Sequence, residues 1–425
     1  MFRIIAISCL VLSVSSLKAQ QKRLTTIPIE ISSNQRFNLR SNFEFTAIAL
    51  KSKNEIDFKE ISFLLKDESI VFQNSPHQLD NSNYFYSTII HFNESTSELK
   101  LMLKNQSKLQ IEAILINGEG NYASSLKMRR KQDSNNCQLE GVITQDEWRS
   151  GLAEPSYSRS FTDTENLIIH HSAGSNNITD YTLAVRNIYI FHTQENGWSD
   201  IGYNYLIAPN GAIYAGRDPA GGEQDLVIGA HFCGSNSTTM GVCLLGNYET
   251  VDPEQDMLNS LENLLSWKAF KDDLNALATN SHPLNSNLGV IAGHQDGCNT
   301  LCPGINVYEK LDEIRQNVDV QVSTCRGEDK PVIEIEFDTL LSTNLYPNPI
   351  RNNFSFNLEL DENRQNDILY FQIFDQRGKY IKWEKLYFRE NKIEVLLPNT
   401  LTSGIYFLQI VFNSHQQELQ RFMIL

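Results

Sequence analysis

The chain is organised around the stretch Asn166-Leu-Ile-Ile-His-His-Ser172. A short apolar run bounded by polar residues predicts a buried strand, and this strand ends in two histidines. Because successive side chains of a strand point to opposite faces, His170 and His171 cannot both bind one metal ion. One histidine of the pair is therefore a candidate metal ligand.

A second stretch, Gly293-His-Gln-Asp-Gly-Cys-Asn-Thr-Leu-Cys-Pro-Gly304, predicts a loop between another apolar segment and a helix. It contains His294 and two cysteines. A catalytic zinc ion takes three protein ligands from His, Cys and carboxylate groups, and it leaves a fourth position open for water. One strand histidine, His294 and one loop cysteine supply that number.

Four further motifs lie between these two stretches in the order Gly197-Trp-Ser-Asp-Ile-Gly-Tyr-Asn-Tyr-Leu-Ile207, Asn210-Gly-Ala-Ile-Tyr-Ala-Gly-Arg217, Gly229-Ala-His231 and Met240-Gly-Val-Cys-Leu-Leu-Gly-Asn-Tyr248. In order and spacing, the six motifs resemble the type 2 N-acetylmuramoyl-L-alanine amidases and the peptidoglycan recognition proteins. The resemblance covers residues 137 to about 320. It implies a mixed sheet flanked by helices, a zinc ion and a muramyl-peptide ligand.

The resemblance also implies roles for single residues. The zinc ligands would be His170 rather than His171, together with His294 and Cys302, and Cys298 would have no metal role. Tyr203 matches the catalytic tyrosine, whose phenol holds the attacking water or stabilises the tetrahedral intermediate.

The resemblance also implies roles at three other positions. Thr300 stands where some of these amidases have lysine; its hydroxyl can donate a hydrogen bond to an oxyanion but brings no positive charge. Arg217 and His231 match positions that face the muramyl peptide. The following Asp218-Pro219 departs from the family's pattern, so the sequence does not indicate a preference for diaminopimelate or lysine stem peptides.

The remaining sequence predicts two all-β domains around the central α/β domain of residues 137–325. Residues 20–125 contain short, partly alternating apolar segments typical of a β-sandwich, with either a binding role or a purely structural one. Residues 126–136 and 326–340 are predicted linkers. Residues 341–425 form a small β-sandwich that resembles the C-terminal sorting domain of type IX secretion substrates, although a carbohydrate-binding appendage has a similar pattern.

Residues 1–19 have a charged start, an apolar core and a small residue at a cleavage point, which indicates a secretory signal peptide. No apolar run reaches the roughly 20 residues that span a bilayer, so we expect no integral membrane segment after signal removal. The net charge of −15 disfavours binding to nucleic acid. We expect a secreted or cell-surface monomer, exported in part by the type IX machinery.

Six cysteines remain after the signal peptide, all in or next to the central domain. An oxidising compartment favours disulfides. We expect Cys137 to pair with Cys325 at the domain's ends, and Cys233 to pair with Cys243.

The sequence therefore predicts a zinc-dependent amidase that cleaves the bond between N-acetylmuramic acid and L-alanine. The main alternative is a recognition protein that binds peptidoglycan without hydrolysis. Non-catalytic members of the family typically lack the cysteine ligand, so the presence of Cys302 favours the enzyme. A third class, a structural adhesin, would need neither zinc nor turnover.

Overall fold

The computed structural model describes most of the chain, with gaps, as two units, Met1–Lys330 and Pro331–Leu425. The predicted signal peptide, the linker 126–136 and most of the linker 326–340 lie outside the described residues. Those described are 22–33, 36–65, 68–75, 83–104, 108–122, 137–328, 343–346, 348–350, 355–360, 368–375, 380–387, 392–397, 401, 403–411 and 417–424.

The first part of the larger unit is one antiparallel sheet, where the sequence predicts a sandwich. Its strands are β1 (Leu24–Ser32), β2 (Arg36–Ser52), β3 (Ile61–Leu65), β4 (Glu68–Val71), β5 (Phe85–Tyr86), β6 (Ile90–Leu103) and β7 (Lys108–Ile116). They pair in the order β1-β7-β2-β6-β3-β4, and β5 pairs with β2. Register shifts interrupt the long β2–β6 pair near Phe45. Such irregularities bend a sheet, and this sheet encloses an apolar core that includes Phe45, Phe63 and Phe92.

The central part combines a mixed sheet with helices on both faces, which confirms the predicted α/β class. The helices are α1 (Gln145–Arg149), α2 (Tyr181–Ile190), α3 (Gln255–Lys271), α4 (Ile305–Tyr308) and α5 (Leu311–Cys325). A π-helical turn, Phe191–Glu195, continues α2. The strands are β8 (Asn166–His171), β9 (Tyr205–Ile207), β10 (Ile213–Ala215), β11 (Thr239–Leu244), β12 (Thr279–His282), β13 (Asn285–Gly289) and β14 (Ile291–Gly293).

The central sheet has the order β10-β9-β11-β8-β14, and β12 and β13 form a separate hairpin. Strands β9, β11, β8 and β14 are parallel to one another, while β10 is antiparallel to β9. Helices α3 and α5 cover one face, where their apolar residues pack against Leu167 and Ile169 of β8. Helix α2 covers the other face near β9 and β11. Asp180 caps α2 by accepting a hydrogen bond from the Leu183 backbone.

The N-terminal sheet packs directly on α2. Leu24, Ala47 and Ile116 of the sheet share one apolar cluster with Val185 and Ile188 of the helix. Every residue of α2 after Tyr181 is buried. The helix therefore has an apolar partner on both sides, the central sheet and the N-terminal sheet.

Buried polar groups also join the two parts. The Thr46 hydroxyl donates to Asn187 Oδ1 at 2.8 Å and accepts from the Gly118 backbone at 2.9 Å. Asn187 Nδ2 lies 3.3 Å from His91 Nδ1. Burial lowers the pKa of His91 to about 4, so its ring is neutral at pH 7 and can accept from Asn187. These hydrogen bonds require one specific orientation of the two parts.

Arg186 is a second polar anchor in this interface. Its guanidinium is fully buried and donates to the carbonyls of Gly118, Trp148 and Ser150. A buried cation without a carboxylate partner is costly unless its donors are satisfied, and several carbonyl acceptors provide that compensation. Burial also lowers the pKa of Arg186 to about 10.

The smaller unit is composed of strands in its described residues. These are β15 (Thr343–Tyr346), β16 (Ser355–Leu360), β17 (Ile368–Asp375), β18 (Tyr380–Tyr387), β19 (Lys392–Leu396), β20 (Gly404–Val411) and β21 (Gln417–Ile424). They form a three-stranded sheet, β15-β16-β19, and a four-stranded sheet, β18-β17-β20-β21. Within the described part of the chain, no helix has both the length and the apolarity to cross a membrane.

We expect Thr46→Val to destabilise the protein by about 2 kcal/mol, because it leaves the Gly118 N–H and Asn187 Oδ1 buried without their partner. Urea unfolding followed by tryptophan fluorescence measures this. Thr25→Val is the matched control: Thr25 lies on β1 outside this network, and the change should stay within about 0.5 kcal/mol of wild type. Equal stability of the two variants would contradict the role of the network.

Candidate metal centre

The alternation of side chains along β8 separates the two histidines. The His170 ring lies 4.4 Å from the His294 ring and 5.3 Å from the Tyr203 ring, measured between centroids. The His171 ring lies on the opposite face, where its Nδ1 accepts from the Tyr248 backbone at 3.2 Å. Only His170 therefore points toward the loop that follows β14.

The structure brings His170, His294 and Cys302 together. Their candidate ligand atoms all lie within 4.8 Å of one another, and all three side chains are buried. Cys302 Sγ is 3.7 Å from His170 Nδ1. A tetrahedral zinc ion with a nitrogen at about 2.1 Å and a sulfur at about 2.3 Å separates those two atoms by about 3.6 Å. The donor set and its spacing thus fit zinc, while zinc binding itself stays a prediction.

The surroundings of Cys302 also suit a metal ligand. The His171 backbone N–H donates to Cys302 Sγ at 3.3 Å. Burial raises the pKa of the Cys302 thiol well above its ordinary value. A thiolate at this position therefore needs a compensating positive charge close by, which a divalent cation supplies.

His231 contacts the ring nitrogen of His170 that does not face Cys302. Its Nδ1 lies 3.0 Å from His170 Nε2, and its Nε2 lies 3.3 Å from the Thr239 hydroxyl. That hydroxyl donates in turn to the Asn236 carbonyl. If His170 Nδ1 binds a metal, its Nε2–H donates to His231, and the proton order along the whole chain is determined.

The expectation that His231 faces the muramyl peptide stays a prediction, and in the structure its ring faces His170 and Thr239. The side chain is buried, and both ring nitrogens have partners inside the protein. The ring packs closely on Gly241 of β11, where an added Cβ would lie 2.5 Å from His231 Cδ2. His231 is placed to orient His170.

Tyr203 lies beside the cluster and is buried. Burial raises the pKa of its phenol well above the ordinary value, so the hydroxyl stays protonated at physiological pH. A hydrogen bond joins this hydroxyl to the Cys243 thiol. The Cys243 thiol donates to the Leu244 carbonyl at 3.8 Å, so in this contact its sulfur accepts from the Tyr203 hydroxyl. Sulfur is a weak acceptor, and an oxyanion would compete with it for the phenol proton.

Thr300 and Arg217 occupy different surroundings. The Thr300 hydroxyl accepts from the Cys302 backbone at 3.1 Å. The Arg217 backbone donates to the Tyr203 carbonyl at 2.8 Å. Its buried guanidinium donates to the Tyr157 hydroxyl and packs over that ring. The Arg217 backbone therefore contacts Tyr203, while its side chain lies in a separate polar cluster with Tyr157.

The disulfides confirm one expected pair and correct the other. Cys137 is bonded to Cys325, as predicted. Cys233 is bonded to Cys298 rather than to Cys243. Cys243 lies within β11 opposite His170, buried beside Tyr203, whereas Cys233 and Cys298 are in loops near His294. Cys243 is the cysteine closest to Cys233 along the sequence, but its position in β11 places its thiol in the core.

Comparison with known proteins gives two matches along the chain. A family model described as N-acetylmuramoyl-L-alanine amidase matches residues 160–305. A model described as secretion system C-terminal sorting domain matches residues 344–425, which confirms the resemblance of this region to a sorting domain. Together they describe an exported protein with an amidase-type central domain.

Peptidoglycan-recognition protein SC2 of Drosophila simulans is 30% identical over 172 residues, which are 40% of this chain and 84% of that protein. The peptidoglycan recognition protein of Trichoplusia ni is 34% identical over 173 residues, covering 40% and 85% of the two chains. The solved structure of wild-type Drosophila PGRP-LB is 28% identical, covers 40% of this chain and 92% of its own, and has a TM-score of 0.33. The chain belongs to the family of type 2 N-acetylmuramoyl-L-alanine amidases and peptidoglycan recognition proteins.

The paired histidines of β8 provide a sharp test of the metal centre. We expect His170→Gln to lose most bound zinc, because it removes a ligand, and His171→Gln to keep it, because that ring lies on the other face of the sheet. Elemental analysis of the purified full chains gives the metal content. Similar zinc contents in the two variants would exclude the proposed set.

Proposed function

We propose that the protein is a secreted, zinc-dependent N-acetylmuramoyl-L-alanine amidase that hydrolyses the amide bond between N-acetylmuramic acid and L-alanine. The convergence of His170, His294 and Cys302 carries this proposal. Members of the family bind peptidoglycan, and the full donor set for a catalytic zinc supports hydrolysis in addition to binding.

A zinc ion in this donor set lowers the pKa of a water in its open position to about 7 and polarises a carbonyl oxygen. In the reaction a water oxygen adds to the amide carbonyl carbon, the C–N bond breaks, and the amine leaves with a proton. The residues of the chain supply orientation and hydrogen bonds for these changes.

Tyr203 is the candidate donor to the developing oxyanion. Its raised pKa keeps the phenol neutral, so it donates a hydrogen bond without a proton-transfer cost. Thr300 can add a second, neutral donor, since its oxygen already accepts from the Cys302 backbone. His231 keeps the His170 ring in the tautomer that presents Nδ1 to the cluster.

The C-terminal sorting domain supports export and a location at the cell surface or outside the cell. The proposal also includes a signal peptide in residues 1–19, two flanking all-β domains and a monomeric state. Peptidoglycan is the proposed partner, and the negative net charge argues against nucleic acid.

Purified sacculi distinguish the amidase from the non-catalytic alternative. We expect the full chain to release stem peptides with a free N-terminal L-alanine and to leave the glycan strands intact. A chelator should abolish release and added zinc should restore it. Mass spectrometry of the soluble fraction identifies the bond. Binding to sacculi without release of peptide would support the recognition protein instead.

Tyr203→Phe tests the donor role. We expect the variant to keep its zinc and to lose about 100- to 1,000-fold in kcat, because one hydrogen bond to the oxyanion is missing. Tyr205→Phe is a matched control, since Tyr205 belongs to the apolar cluster under α3, whereas Tyr203 belongs to the cluster around α2. Wild-type turnover by Tyr203→Phe would remove the assigned role.

A further inference from the structure

A cavity of about 60 Å³ lies between the N-terminal sheet and the central domain, with Tyr203 in its wall. The sheet side consists of Ser75 and the segment 86–89, and the opposite side includes Trp198 and Asn196. Tyr203 also lies next to His170. The cavity and the candidate metal centre therefore lie on either side of one shared residue, Tyr203.

The wall from the N-terminal sheet is held firmly against the central domain. Lys51 forms a 2.6 Å ion pair with Glu195, and both side chains are largely buried. The Tyr86 ring packs edge-on against Phe191 at 6.0 Å. Gly174 approaches so closely that an added Cβ would lie 3.0 Å from the Ile89 carbonyl. The position of this wall is set by packing and hydrogen bonds on both sides.

The side chains that line the cavity are uncharged; the His192 ring is neutral because its Nδ1 accepts a hydrogen bond from the Gly202 backbone. The polar groups of the lining are hydroxyls, such as those of Thr88 and Ser172, and the Asn196 amide; its apolar surface includes Trp198 and Phe191. Uncharged hydroxyl and amide groups beside aromatic rings suit a sugar, whose hydroxyls form hydrogen bonds while its C–H faces pack on rings. Stem peptides carry carboxylates, which cationic side chains recognise better.

Asn196 Oδ1 adds a specific feature. This oxygen is buried and accepts no hydrogen bond from the described residues. A buried acceptor without a donor is costly, and a ligand N–H removes that cost. The cavity has room for about four water-sized groups. An acetamido group has four non-hydrogen atoms, a donor N–H for Asn196 and a methyl group for the apolar wall.

We propose that this cavity is a glycan subsite that receives the acetamido group of the N-acetylglucosamine ring next to the muramic acid, so that the N-terminal sheet completes the substrate cleft. The inference rests on the proposed function, because it specifies the substrate of the same site. It assigns to Ser75 and Thr88 a role in recognising the glycan strand rather than the isolated muramyl peptide.

The test compares two substrates, an N-acetylmuramyl peptide and the same peptide on an N-acetylglucosaminyl-N-acetylmuramyl disaccharide. We expect wild type to prefer the disaccharide substrate by about tenfold in kcat/KM, chiefly through KM, since binding energy shared by ground and transition states lowers KM. Ser75→Trp fills the cavity and should abolish the preference, so that the two substrates have about equal kcat/KM. Thr88→Val removes one hydroxyl with little change of shape and should reduce it about threefold.

Thr25→Val is the control, because it makes the same chemical change on the same sheet outside the cavity; it should keep the wild-type preference. Zinc content and thermal unfolding show whether each variant is folded. Equal preference in wild type, Ser75→Trp and Thr88→Val overturns the subsite. An equal loss on both substrates also overturns it, because it would place the effect at the muramic acid.

Calorimetric titration with the peptide-free disaccharide separates this inference from the proposed function. Binding by wild type that Ser75→Trp weakens at least tenfold supports the subsite even if no hydrolysis occurs. Hydrolysis of both substrates at equal kcat/KM, without binding of the disaccharide, leaves the amidase in place and overturns the subsite.

Discussion

The parallel pairing of β8 with β14 is the constraint on which the metal centre depends. Ile169 is opposite Gly293 in this pair, so both strands end at the same edge of the sheet. His170 then lies beside His294, although 124 positions separate them in the sequence (294 − 170). The loop after His294 returns to the same edge, because the Gln295 backbone donates to the Cys302 carbonyl at 2.9 Å. Three candidate ligands that are distant in the sequence thus meet through ordinary sheet geometry.

Around these ligands the structure uses neutral hydrogen-bonded groups. His170, His231 and Thr239 form one ordered chain, and Tyr203 is joined to Cys243. Burial favours the neutral form of each acid here, as the raised pKa values of Tyr203 and Cys302 indicate. A Cys302 thiolate at this position would need a neighbouring positive charge, which a divalent cation between His170, His294 and Cys302 would supply.

Local sequence patterns predicted the features that depend on neighbouring residues. The alternation in Asn166–His171 separated His170 from His171, Asp180 marked the start of α2, and the Asn210-Gly211 turn lies between β9 and β10. Features that depend on three-dimensional neighbours were missed or mistaken. The Cys233–Cys298 bond, the position of His231 behind His170 and the Tyr203–Cys243 contact all follow from which faces meet across strands. The single bent N-terminal sheet depends on register shifts near Phe45, which no local pattern indicates.

The N-terminal sheet forms part of the apolar core that surrounds α2 of the central domain. The amidase match covers residues 160–305, so the sheet lies outside the part that the family model describes. Yet residues of the N-terminal sheet, such as Ala47 and Ile116, bury one side of α2. Arg186 of this helix also donates to the Gly118 carbonyl, which follows the last strand of that sheet. Without the sheet, the side chains of Val185 and Ile188 that pack on it would face solvent, at a cost of about 2 kcal/mol for each such side chain. A fragment limited to residues 137–325 would therefore lack part of its own core. The N-terminal sheet is in this sense a structural component of the amidase-type domain, and assays of the full chain are the ones that report on the intact fold.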